Sequence, residues 1–211
     1  MRKIEIKNRK ETDVTDEALY ALNKESHGMW TEQGLDAPWM HLTFPEFQQA
    51  LRGIPMFVAL DAETGELLGM HSFRTHRKEG WCYGYRLAIA SSARREGIAS
   101  RMLVYEAERI RQAGYLYLKD NTATTAEWSV QWHLKNGYRI VGYYRVPNNN
   151  FTNYVFRKQL APSILWGPTL GPLTARMSFA ASWLVNHLLK HSDGRDNLLG
   201  RFARKIIHKE H

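Results

Sequence analysis

Cysteine is nearly absent: Cys82 is the one thiol in 211 residues. No internal disulfide can form, and the count fits a reducing cytoplasm. Long apolar runs are missing too. Nothing reaches the roughly 18 consecutive apolar residues that a membrane span needs. The opening MRKIEIKNRK lacks the apolar core of a signal peptide, so a cytoplasmic protein without a membrane span is expected. There is no internal repeat and no low-complexity tract. Acidic residues are the scarcer charge, 21 Asp and Glu against 29 Lys and Arg, for a formal net charge of +8. That surplus suits an anionic ligand and equally serves solubility. The bases are dispersed and not interleaved with a stacking platform, which speaks against a nucleic-acid partner. No metal-ligand set is read from the sequence. What is present, 44% apolar residues, is enough for one proper core with an appendage.

The chain is organised around residues 87–114, LAIASSARREGIASRMLVYEAERIRQAG. A short apolar run, Leu87 to Ala90, gives way to small residues and then to Arg94-Arg95-Glu96-Gly97-Ile98-Ala99, where the period changes. Ala99, Met102, Leu103, Ala107, Ile110 and Ala113 recur at helical spacing, and Gly114 sits where a left-handed cap belongs. The pattern predicts a strand, a compact turn and a helix starting near Gly97. A helix start leaves amide N–H groups unpaired and carries partial positive charge, so a glycine there lets a phosphate approach the backbone. The dinucleotide fingerprint is excluded because Arg94 stands where it wants its first glycine. A Walker loop is excluded because no Gly-Lys-Ser/Thr follows. On these residues alone the turn is either an anion site or a plain strand-turn-helix.

After Gly114, Tyr115 to Lys119 has strand composition, a polar loop follows, and then AEWSVQWHLKNGYRIVGYYR runs from Ala126. Trp128, Trp132 and Lys135 mark a helix closed by Asn136-Gly137, and Tyr138 to Tyr144 alternates as a strand does. Residues 139–146 and 153–160 read as a closing hairpin around Pro147-Asn148-Asn149-Asn150.

The spacing Arg-x-x-Gly-x-Ala between strand and helix, followed by helix, Asn-Gly-aromatic and strand, resembles the GNAT superfamily of N-acetyltransferases over roughly residues 1–160. The resemblance implies an α+β, or α/β-sandwich, fold. Its central mixed, mostly antiparallel sheet would have a splayed parallel pair and be flanked by helices. It implies acetyl-CoA as cofactor, with the pyrophosphate at Arg94, Arg95, Glu96, Gly97, Ile98, Ala99 and Ser100. The pantetheine arm would pair with the backbone of Leu87, Ala88 and Ile89. Four residues before its glycine the family commonly has a tyrosine that protonates the departing thiolate; here that position holds His133. Where the family has an asparagine, this chain has Ala126, and Asn121 and Ser129 are the alternative contacts to the pantetheine amides. The family often places a basic glutamate on the fourth strand, but residues 81–90 contain no carboxylate. Tyr83, Tyr85, His71, His76, Glu79 or a relayed water remain for the base. An attacking amine near pKa 10 must lose a proton first, so one of them is needed. Cys82 lacks a paired histidine and reads as a small strand residue.

Elsewhere, residues 2–9 read as an edge strand. A helix is expected from Thr15 to about Glu25, with Thr15 or Asp16 as cap. The loop SHGMWTEQGLDAPWMHL follows, rich in Trp and Met. Trp30 and Trp39, with Tyr83 and Tyr85, are candidate walls of an acceptor site; the alternative is core packing. Thr43-Phe44-Pro45-Glu46 has capping-box spacing, and Met56–Leu60 with Leu67–Arg74 reads as a hairpin. Beyond Leu160, Pro162, Gly167, Pro168, Gly171 and Pro172 predict a breaker-rich linker. The domains expected are 1–160, catalytic, and 161–211, a C-terminal helical extension. The extension combines a helix over Met177–Leu189 with the basic amphipathic stretch LLGRFARKII. These helices pack on the domain or on a second copy, giving a homodimer, or else lie on an anionic membrane. Two functions follow: acetyl transfer to a primary amine of a small molecule, such as an amino sugar or amino-acid derivative, or a non-catalytic or membrane-surface module using its tail to bind partners.

Overall fold

The computed structural model describes residues 2–145, 149–162 and 170–191. Seven strands form one mixed sheet in the order β1-β2-β3-β4-β5-β7-β6, flanked by helices. The residues cluster into two compact units, Met1–Leu118 with Asn148–Asn150, and Lys119–Pro147 with Phe151–His211.

The first unit carries β1 (Ile4–Asn8), α1 (Asp16–Thr31), α2 (Phe44–Leu51), β2 (Met56–Asp61), β3 (Leu67–His76), β4 (Trp81–Ile89) and α3 (Ile98–Gln112). The four strands pair antiparallel, Ile4 opposite Asp61, Val58 opposite Met70 and Met70 opposite Ala88. Apolar side chains drive this assembly, and Leu19, Phe47, Val58, Leu68, Met70, Met102 and Leu103 are almost wholly withdrawn from water. Thr15 caps α1 through its side-chain oxygen, which accepts from the Ala18 N–H at 3.2 Å. The capping box of α2 forms as its spacing requires: the Glu46 carboxylate accepts from the Thr43 N–H at 2.8 Å. The β2–β3 turn is held by Asp61, which accepts from the N–H groups of Glu63 and Thr64 at 2.9 and 3.1 Å. The β3–β4 ladder has one irregularity. Ser72 opposes Arg86 and Phe73 opposes Gly84, so Tyr85 is an extra residue in β4, a bulge.

The second unit holds most of β5 (Tyr117–Ala123), then α4 (Glu127–Lys135), β6 (Arg139–Tyr144), β7 (Asn153–Gln159) and α5 (Gly171–His191). β6 and β7 pair antiparallel, Ile140 opposite Phe156 and Gly142 opposite Val155. α5 lies on β6, with the Phe179 ring 5.3 Å from that of Tyr143.

Three sequence expectations are corrected here. α1 does not stop near Glu25; it continues to Thr31 and takes Met29 and Trp30 into its last turns. β5 begins two residues late and runs through Asp120 and Asn121, where the sequence pattern predicts a polar loop. α5 starts at Gly171, so Gly171 and Pro172 are not linker. Proline is accepted in a first turn, where its missing N–H would be unpaired anyway. The stretch 198–207 lies outside the described residues.

Candidate active site

In the first unit, β4 ends at Ile89, and a short 3-10 turn, Ser91–Ala93, leads to Arg94 in extended conformation. The backbone then turns left-handed twice, at Arg95 (φ 66°) and Gly97 (φ 76°), before α3 begins at Ile98. Gly97 has no side chain to cap the helix, so the first amides of α3 receive no side-chain cap. A Cβ built on Gly97 would meet nothing within 4 Å, so the space in front of the helix is open. The charges are sorted around it. Glu25 turns to the chain, accepting from the Ser91 N–H at 2.5 Å. Hydrogen bonding to the Ser91 side chain and then to its backbone N–H, with a smaller contribution from the charge of Arg94, holds the Glu25 carboxyl below the usual carboxylate range. Glu96 faces Arg2 at 3.9 Å, and Arg2 also reaches Asp61 at 3.6 Å. Arg94 and Arg95 form no ion pair among the described residues. An uncapped helix start, open space and two available guanidiniums fit a diphosphate. Leu87, Ala88 and Ile89 lead into this turn along β4, opposite His71, Met70 and Gly69 of β3.

A second cluster in the same unit gathers most of the residues expected around an acceptor. The Trp30 and Trp39 rings meet edge to face at 6.2 Å, and the His27 ring meets Trp39 at 4.9 Å. His27 lies beside Asn23, its Nδ1 3.5 Å from the amide Nδ2. Burial, then the charge of Arg86, pushes the His27 pKa down to about 4, so the imidazole is neutral at pH 7. Asn23 in turn accepts from Arg86 at 3.3 Å. The Arg86 guanidinium is 4.9 Å from the centre of the Tyr85 ring, and Arg74 lies over that ring at 3.9 Å. Tyr83 is half-buried on β4, opposite Arg74 in the ladder.

In the second unit, His133 is 4% exposed on α4. Its ring stacks on Phe156 at 4.4 Å and meets Tyr138 edge-on at 5.1 Å. Nδ1 is 2.8 Å from the Ser129 carbonyl one turn earlier, so Nδ1 carries a hydrogen. Nε2 lies 3.3 Å from Oδ2 of Asp120. That contact is poorly aligned for a hydrogen bond, and Nε2 is a buried polar atom without one. Asp120 also accepts from the Asn121 N–H at 2.7 Å, and the Asn121 amide donates to the Tyr144 hydroxyl. Ser129 is buried in the first turns of α4.

Two candidate bases are engaged elsewhere. His71, 1% exposed, holds Glu106 of α3 at 2.9 Å, and His76 stacks on Trp81 at 3.6 Å. Burial pushes the Cys82 thiol up to about 12, which leaves it no nucleophilic role at neutral pH. Sequence reasoning passed over Arg86 and Asp120. Both carried a signal: Arg86 is a lone charge within an otherwise uncharged strand, and Asp120 is an acid inside what proves to be β5.

The family model of the Acetyltransferase (GNAT) family matches residues 17–138. The chain belongs to that family, and acetyl-CoA is its acetyl donor. No curated protein sequence matches it significantly. Solved structures share the fold at low identity. The ribosomal-protein-S18-alanine N-acetyltransferase from Escherichia coli is 11% identical, with a TM-score of 0.60 over 80% of this chain and 99% of that one. The IAA acetyltransferase from Bacillus cereus ATCC 14579 is 13% identical, with a TM-score of 0.55 over 74% and 99%. The NatC complex bound to Gag peptide and CoA has a chain 15% identical, with a TM-score of 0.59 over 75% and 99%. Among the described residues, no helix is long and apolar enough to cross a membrane, and no cluster of His, Cys, Asp and Glu is suited to a metal ion.

Proposed function

We propose that this chain acetylates the primary amine of a small molecule by direct attack on the thioester. The observation that carries the reading is the open, left-handed turn at Gly97, with Arg94 and Arg95 beside the uncapped start of α3. Residues 94–100 would hold the diphosphate of acetyl-CoA, and the backbone of residues 87–89 would hold its amide-bearing arm. Acetyl-CoA supplies the acetyl group as an activated thioester. The ammonium first gives one proton to a relayed water; the free amine then attacks, the C–N bond forms as C–S breaks, the nitrogen releases its second proton to water, and the thiolate gains one from a donor.

His133 is our proposed donor of that last proton. Its Nε2 would have to exchange Asp120 for the thiolate or for a bridging water. Trp30, Trp39, Tyr83 and Tyr85 are the proposed acceptor walls, and Asn121 and Ser129 the proposed contacts to the cofactor amides. Release of free thiol from acetyl-CoA, followed across a panel of small amines and short peptides, tests the reading. Small amines should be turned over and peptides should not. Replacing His133 by alanine should lower kcat by about 10²-fold and leave acetyl-CoA affinity unchanged. A full-rate alanine variant with only a lowered melting temperature would make His133 a packing residue.

A further inference from the structure

Arg86 is a buried cation without a counter-ion. Its residue is 6% exposed, and among the described residues no carboxylate lies within ion-pair distance of it. A guanidinium has five N–H donors. Here they find two neutral acceptors, Asn23 Oδ1 at 3.3 Å and the Tyr85 hydroxyl at 3.4 Å, both beyond the usual range for such bonds. Nε finds none. Two ring faces also lie near it, Tyr85 at 4.9 Å and Phe47 at 5.6 Å. His27, next along the chain of contacts through Asn23, is neutral and supplies no negative charge. Withdrawing an ion from water is costly unless another charge meets it inside.

Tyr85 is the extra residue of the β4 bulge, and the Arg86 guanidinium lies 4.9 Å from the centre of its ring. Tyr85 is half-buried, and the exposed Arg74 covers it at 3.9 Å. One cation thus stands at the surface and a second one ring deeper, a gradient that draws an anion inward.

We propose that Arg86 anchors a carboxylate of the acceptor, so that the amine acetylated belongs to a free amino acid or a close analogue. The proposal rests on the acetyltransferase reading above and narrows its substrate. A carboxylate fits the planar N–H edge of a guanidinium through two parallel hydrogen bonds. Arg74 attracts the same group at entry, while the Trp30 and Trp39 rings near His27 give the side chain of such a molecule an apolar wall.

The test uses the full chain with saturating acetyl-CoA, titrated calorimetrically with the common L-α-amino acids. Each binder is then compared with its carboxamide, which keeps amine and side chain and removes the charge. The carboxylate form should bind at least about tenfold tighter. Arg86→Gln should remove that preference, and Arg86→Lys, which keeps charge without the fork, should restore part of it. Equal binding of acid and amide, or no binding of any amino acid, overturns the assignment without needing a variant that folds. Thiol release on the same panel and on uncharged amines separates this from the reaction itself. Turnover without charge preference overturns the Arg86 site and leaves the transferase standing. Binding that depends on the carboxylate and on Arg86, with no thiol released from any amine, supports the site and removes the reaction.

Discussion

Gly97 does two jobs that a single substitution cannot separate but a pair can. Its φ of 76° is a conformation most side chains avoid, and its open front is where an anion would stand. Asparagine tolerates left-handed backbone better than most residues and adds no charge. Gly97→Asn should keep acetyl-CoA affinity within a few-fold, while Gly97→Asp, nearly its isostere, should weaken it by about tenfold or more through repulsion at the helix start. Equal affinities by calorimetry would mean that no phosphate stands there. His27 gives a different handle. Its folded pKa is depressed to about 4 from an ordinary 6.5, chiefly by burial and then by Arg86, with smaller effects from Lys24 and His41. Between those values the unfolded chain binds the extra proton and the folded chain does not, so stability falls as pH drops from about 6.5 to about 4. Fully expressed, the loss from this one group is about 3 kcal/mol. Urea unfolding at a series of pH values should show that slope, and His27→Gln should flatten it; an unchanged slope would place the acid sensitivity elsewhere.

Elements show why part of the candidate site was legible in the sequence and part was not. The turn from β4 into α3 could be read because period, charge and glycine all change within ten residues, and local backbone chemistry fixes such a turn. The capping box at Thr43 was legible for the same reason. The length of α1 was not: Gly28 and the aromatic cluster after Glu25 look like loop, and the helix continues because Ser26 and His27 are buried on the same face as Leu19, Leu22 and Asn23, which no local propensity reports. Asp120 was misread because the apolar run ends at Leu118, while the strand continues through polar residues that pack in the second unit. Arg86 was not legible because its partners Asn23 and Phe47 come from α1 and α2, contacts that one strand cannot display. α5 also depends on a close approach. A Cβ at Gly142 would overlap the Ser182 hydroxyl and press on its Cβ at 3.0 Å, so only glycine lets α5 lie down on β6 here. Gly142→Val should therefore loosen α5. Limited trypsin digestion should then cut at Arg176 much faster than in the parent chain, with acetyl-CoA affinity retained; an unaltered digestion pattern would mean that α5 is held by other contacts.

For the whole molecule, α5 sets the open question of association. Its inner side meets Tyr143 and Gly142 of β6. Its outer side presents Leu173 (56% exposed), Met177 (64%), Trp183 (52%) and Leu184 (52%). Leaving such side chains in water forgoes roughly 1.5–3 kcal/mol apiece if they could be fully buried, so a row of them favours a covering surface. A second copy of the same helix offers a matching face, and a two-fold pair would hide both rows at once. We therefore expect the full chain to sediment as a dimer at high concentration and to dissociate on dilution. Met177→Glu with Trp183→Glu should leave it monomeric at every concentration while retaining acetyl-CoA affinity, because both side chains are exposed on α5 and neither is among the proposed cofactor contacts. Truncation after Leu160 is a harsher test. It removes the outer face but uncovers the β6 surface that α5 protects, so the shortened chain should lose solubility instead of becoming a well-behaved monomer. If the parent chain sediments as a single 24.5 kDa species throughout and instead floats with anionic vesicles, the outer face meets lipid and not a second subunit.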